Sequence, residues 1–121
     1  MAITDFAAIG RAFRVSCKGL SHCLRHERAV QQEAVLFILL TLVAAFLAES
    51  AWHWLLLTAP LILILIVEVL NTGLEAAIDR IGPEHHELSG LAKDCGSAAV
   101  LLSMLLAGLV WGVFLFERFF R

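Results

Sequence analysis

Three stretches of this chain contain no Asp, Glu, Lys or Arg: residues 34–48, 50–67 and 95–116. A helix that crosses a bilayer needs about 20 mostly apolar residues. Within hydrocarbon the backbone must satisfy its own hydrogen bonds, which leaves helices or a closed barrel. These runs are continuous rather than alternating, so they read as helices. The third run is long enough by itself and the second nearly so. The first reaches the required length by placing Gln31, Gln32 and Glu33 at one interface. Glu49-Ser50 is then a tight turn between two antiparallel helices. The chain has 121 residues, 60% of them hydrophobic, with a mean hydropathy of +0.86. That is far more apolar than a soluble domain of this size can hide. The expected fold is an all-α membrane protein of one domain, 1–121. Its helices are expected at 4–26, about 30–48, 51–81 and about 92–118, the last three containing the transmembrane spans.

Charge sets the orientation. Arg11, Arg14, Lys18, Arg25 and Arg28 precede the first span, Arg80 and Lys93 lie between the second and third, and only Arg118 and Arg121 follow the third. The turn at Glu49 has no basic residue. The amino terminus and the 82–91 loop are therefore expected in the cytosol and the carboxyl terminus outside. Residues 4–26 place Phe6, Ile9, Phe13, Cys17, Leu20 and Leu24 at helical spacing, with Arg11, Arg14 and Lys18 elsewhere on the wheel. That pattern predicts an amphipathic helix lying on the cytosolic leaflet, capped by Thr4 or Asp5. The first ten residues lack a basic stretch followed by an apolar core, so no signal peptide is expected.

A formal charge of −2 provides no basic field for nucleic acid. Cys17, Cys23 and Cys95 have no paired spacing and are expected to be reduced packing residues. Pro60 interrupts the second span and should deprive the Leu56 carbonyl of its helical partner.

The chemistry concentrates after residue 67. At about 100° per residue, Glu68, Asn71, Glu75 and Asp79 share one narrow stripe of the second long helix, which Gly82-Pro83 should end. Glu68 lies about 25 Å along that helix from Ala51, near the inner edge of a hydrocarbon layer about 30 Å thick. A lipid's free hydroxyl resides at that level. Burial there suits a carboxylate to act as a general base. Glu75 lies about 10 Å further into the wet zone, where oxygen ligands hold Mg²⁺. Lys93 and Asp94 precede the third span on the same side, where an ammonium can neutralise phosphate. Taken singly, Glu68 and Asn71 would be read as hydrogen-bonding neighbouring helices, and Lys93 as a snorkelling cation. Together they read as a functional set.

Other polar residues carry weaker signals. No phosphate-binding glycine loop is present. His22 and His26 have i,i+4 metal spacing but too few partners for a site. Trp52, Trp54 and Trp111 fit interfacial belts or lipid contacts.

The segment VEVLNTGLEAAIDRIGPEHHELSGLAKDCGSAAV, residues 67–100, contains the pattern E-x-x-N-[TS]-x-x-E-x-x-x-D, a short loop, and then K-D before the last span. It resembles the small integral-membrane diacylglycerol kinases of bacteria. CKGL at 17–20, Glu27 and Gln32-Glu33 extend the likeness to nearly the whole chain. The resemblance implies a homotrimer in the bacterial inner membrane with sites between subunits. It implies phosphorylation of diacylglycerol by ATP with Mg²⁺, giving phosphatidic acid. By position, Glu68 is the base and Asn71 supports the catalytic site. Glu27 and Glu75 hold Mg²⁺, and Lys93 and Asp94 meet the nucleotide phosphates. Glu84, His85 and His86 fall in the loop over the nucleotide. Glu33, Ser97 and Trp111, with Glu68, fall on the lipid side. Ala8 and Val15 depart from an Arg and an aromatic that relatives carry in the amino-terminal arm, and Arg11 and Arg14 are the candidates to replace them. Undecaprenol kinases share the core motif, although the HELSGLAKDCGSAAV loop is more similar to the Gram-negative diacylglycerol enzymes. A small oligomeric channel or scaffold would account for Glu68 but not for the polar residues beyond it.

Overall fold

A computed structural model describes residues 5–121 as four helices: α1 (Phe6–His26), α2 (Arg28–Leu47), α3 (Ala51–Ile81) and α4 (Glu87–Phe120). Their ends follow from local chemistry. Asp5 caps α1, accepting from the Ala8 amide at 3.1 Å, and its carboxylate also pairs with Arg11 at 3.6 Å. Thr4, the other expected cap, lies outside the described residues. Glu27 alone separates α1 from α2. Its extended backbone, φ −104° and ψ 113°, redirects the chain. The Gln31 side chain spans the joint, donating to the Arg25 carbonyl at 3.1 Å.

The turn at Glu49-Ser50 is as tight as expected. The Ser50 hydroxyl accepts from the His53 amide at 3.2 Å and opens α3. α3 then runs 31 residues, through Pro60, to Ile81. Gly82 stops it at φ 152°, a backbone conformation that side-chain-bearing residues rarely adopt.

The largest departure from the sequence reading is the start of α4, five residues before the expected 92. His86 is the reason. Its side chain accepts from the Leu88 amide at 3.1 Å, supplying the cap, and Glu87 in the first turn complements the helix dipole.

α3 is the organising element, packing most extensively on α4 and next on α2, while α1 touches α2 and, less, α3. The core is small: Leu57, Val30, Ala44 and Thr58 are buried. Gly96, Ser103 and Ala107 are the buried residues of α4. Spaced by seven and four, they form one face, and their small size lets α4 approach α3 closely. Most large apolar residues point outward, Phe46 to 91% exposure, with Leu42, Leu70, Leu102, Leu109 and Phe116 also exposed. α2, α3 and α4 are each long and apolar enough to cross a membrane, and in water such a surface would drive association. The chain is a membrane protein.

One bond between α3 and α4 lies beside Pro60. The Trp111 indole of α4 donates to the Leu57 carbonyl at 2.9 Å, one position along from the carbonyl that Pro60 leaves without a donor. The bond ties α4 to α3 beside Pro60 and adds a second donor to Leu57, whose carbonyl keeps the Leu61 amide as its helical partner; it does not replace the donor that Leu56 loses.

At one end of the bundle, Arg118 pairs with Glu49 at 3.1 Å and Arg121 with Glu117. Both cations that follow the third span are thus matched by carboxylates. The opposite end carries Glu27, the 71–79 stretch of α3 and the start of α4.

Candidate active site

The α2–α3 hairpin brings together two carboxyls that lie far apart in sequence. Glu33 precedes the Glu49-Ser50 turn by about as many residues as Glu68 follows it, so both reach the same level. Glu68 is buried, 7% exposed, and the Glu33 carboxyl lies against it. Glu33 Oε2 is buried with no hydrogen-bond partner. Glu33 is therefore paired with the proposed base rather than simply marking an interface. The pairing depends on hairpin register, a tertiary fact that helical periodicity does not reveal.

One turn beyond Glu68, Asn71 donates from Nδ2 to Glu75 Oε1 at 3.3 Å. Its Oδ1 is buried without a hydrogen-bond partner and faces Gly96 of α4. A further turn on, Asp79 Oδ1 accepts from Lys93 Nζ at 3.2 Å. Both side chains remain substantially exposed. Lys93 is thus held by Asp79, which shares the acidic stripe but has no role in the sequence-based site. Its position on that stripe was the available signal. Asp94, one residue and about 100° further around α4, is exposed.

Glu27 and Glu75 reach a common level. Seven residues of α3 separate Glu68 from Glu75, and six residues separate Glu33 from Glu27, displacements of about 10 Å and 9 Å in the same direction. Glu27 occupies the N-cap position of α2, yet its side chain makes no capping bond, leaving the carboxylate available. No three His, Cys, Asp or Glu side chains gather as a metal site among the described residues. A cation shared by Glu27 and Glu75 would take its remaining oxygens from water or phosphate, as Mg²⁺ commonly does.

Other expected site residues are placed differently. Glu84 and His85 are exposed between α3 and α4, while the His86 ring is engaged in its capping bond. Ser97 lies one turn after Lys93 on α4 and is exposed. Trp111 stands about 21 Å further along that helix, half-buried, with its N–H committed to Leu57. It is not gathered with the other residues. His22 and His26 stack at 4.5 Å, with His26 Nδ1 3.0 Å from the His22 carbonyl. The expected i,i+4 geometry is present, with one ring nitrogen turned to the backbone.

The arrangement is a graded row: a carboxyl pair of which Glu68 is buried, an amide-carboxylate pair and then a carboxylate-ammonium pair. It descends from an apolar level to a wet one. A model of the prokaryotic diacylglycerol kinase family matches residues 14–115, which include every member of this row. The chain belongs to that family. It is a kinase. The diacylglycerol kinase of Escherichia coli strain K12 is 43% identical over 116 residues, covering 96% of this chain and 95% of that protein. The diacylglycerol kinase of Haemophilus influenzae is 39% identical over 103 residues, 85% and 87% of the two chains. That of Pseudomonas aeruginosa is 37% identical over 112 residues, 93% and 91%. Ala8, in the arm where this chain departs from the expected pattern, precedes the residues matched by the family model.

Proposed function

We propose that this protein is a lipid kinase that transfers the γ-phosphoryl group of ATP to the free hydroxyl of diacylglycerol, giving phosphatidic acid and ADP. The observation that carries this reading is the buried Glu68, with the half-buried Glu33 beside it, at the head of a polar row ending at Asp79 and Lys93. A lipid hydroxyl can reach the first level and a soluble nucleotide the last. Glu68 accepts the proton of the hydroxyl as its oxygen bonds to the γ-phosphorus and the bond to the ADP oxygen breaks. Glu33, Ser97 and the ring of Trp111 contact the lipid. Lys93, held by Asp79, balances phosphate charge, and Asp94 meets the nucleotide beside it. Glu84, His85 and His86 border the nucleotide from the loop.

Glu27 and Glu75 provide hard oxygen donors at one level and would hold Mg²⁺. When bound, that ion neutralises charge on the phosphate oxygens. Asn71 fixes the orientation of the Glu75 carboxylate.

The proposed assembly is a homotrimer in the bacterial inner membrane. Its exposed apolar faces and small core support association with further helices. α1 lies on the cytosolic leaflet. The amino terminus and the loop before α4 are cytosolic, and the carboxyl terminus is outside. The test is Mg²⁺-dependent transfer of labelled phosphate from ATP into extracted lipid, with diacylglycerol and undecaprenol offered separately. Label in phosphatidic acid is expected. Label only in undecaprenyl phosphate would replace the substrate, and label in neither would overturn the lipid-kinase reading.

A further inference from the structure

Gly96 is buried in α4 where that helix meets α3. A Cβ built on it would overlap Asn71 Oδ1, and would lie 3.2 Å from both Asn71 Cγ and a Leu74 methyl carbon. The Leu74 methyl ends a flexible side chain and can give way. The Asn71 amide cannot, because its other end is occupied. Asn71 Nδ2 donates to Glu75 Oε1, and a planar amide that directs nitrogen to Glu75 must direct oxygen away from it. That oxygen is buried without an N–H or O–H partner. It faces the hydrogen that stands in place of a side chain on Gly96. Such Cα–H···O contacts recur where helices approach closely.

We propose that Gly96 is a positioning residue for this kinase site: its bare Cα seats the Asn71 amide and so determines where the Glu75 carboxylate is held. The inference rests on the assignment of Glu75 to the metal-nucleotide end of the site. Gly96 itself acts through Asn71 and touches neither substrate nor metal. Any side chain at 96 drives the amide from its seat, and Glu75, exposed and with no other hydrogen-bond donor among the described residues, regains its rotamer freedom. The consequence is a weaker hold on the cation with little change in the proton-transfer step at Glu68.

The test is a cycle of Gly96→Ala, Asn71→Ala and the double variant in lipid-containing micelles. Two measurements are made: the Mg²⁺ concentration for half-maximal rate, and the side-chain amide resonances of Asn71 in protein free of metal and nucleotide. Gly96→Ala should raise the Mg²⁺ requirement about tenfold, the size of one hydrogen bond to a charged group. The rate at saturating Mg²⁺ should fall much less. The same variant should shift the Asn71 amide pair, assigned by its loss in Asn71→Ala. The double variant should be no worse than Asn71→Ala alone, because truncating Asn71 clears the space. If Gly96→Ala folds poorly, recovery of folded protein in the double variant supports the same seat. An equal penalty from Gly96→Ala on both backgrounds would overturn the proposal, as would an unmoved Asn71 resonance or a double variant that still misfolds. If the wild-type protein phosphorylates no lipid, the kinase reading fails, while the resonance measurement still tests the contact.

Discussion

Replacing Glu68 by Gln should halt phosphoryl transfer without unfolding the protein. The substitution keeps the side chain's shape and removes its ability to accept a proton. A positioned general base contributes about 10²–10⁴-fold to rate, or about 3–5 kcal/mol of barrier. Glu68 is 7% exposed, so bulk water has little access to replace it, and the loss should lie in the upper part of that range. Stability should hold. The amide replaces one of two like carboxyls in contact and offers a donor to the otherwise unpartnered Glu33 Oε2. Glu75→Gln should behave differently, raising the Mg²⁺ requirement because a neutral amide is a poorer ligand for a hard cation. The two positions lie about 10 Å apart along α3. The assay is initial rate against Mg²⁺ in lipid-containing micelles, with melting followed in parallel. Excess Mg²⁺ should partly rescue Glu75→Gln and leave Glu68→Gln inactive. Near-normal turnover in Glu68→Gln would remove the assigned base. Identical Mg²⁺ curves for the two variants would refute the division of the row by depth.

Three further outcomes follow from the packing and the charge pattern. Trp111→Phe keeps most of the ring but removes the cross-helix bond to the Leu57 carbonyl, so it should cost about 0.5–1.5 kcal/mol of stability in detergent unfolding; no change would mean that this bond does not hold α4 to α3. An impermeant thiol reagent should leave Cys17 unlabelled in intact cells and label it in inverted vesicles, with buried Cys23 slow from either side. Labelling of Cys17 from outside would reverse the proposed orientation. Active protein in micelles should sediment as a trimer, and full activity from a monomer would disprove the assembly.

The sequence made some of this architecture legible and left other parts hidden, for physical reasons. α3 was readable from end to end because its signals are local: Ser50 as a cap, an uncharged run, then Gly82-Pro83. The acidic stripe was readable because helical periodicity alone creates it. α4 was foreseen but begun too late, because residues 82–86 read as loop and His is not among the preferred capping residues. The pairings of Glu33 with Glu68, Lys93 with Asp79, and Trp111 with Leu57 all join different helices. Each depends on register and rotation between helices, which no periodicity along a single helix specifies. The Gly96 contact was hidden for another reason: a missing side chain leaves no pattern to read.

α3 is 31 residues long and α4 is 34, about 46 Å and 51 Å, whereas α2, with 20 residues, measures about 30 Å. Only α2 matches the hydrocarbon thickness, and the long pair extends well past it. In the proposed reaction, Glu68 and Glu75 are therefore graduations on a rigid rod, with a separation that no lipid can alter. The acceptor hydroxyl has no such fixed coordinate. It floats with its leaflet, rising or sinking as acyl chains lengthen or shorten, while hydrophobic mismatch tilts the rod or deforms the membrane around it. Alignment of acceptor and base is then shared between the protein and its host bilayer, whose thickness becomes part of the enzyme's geometry.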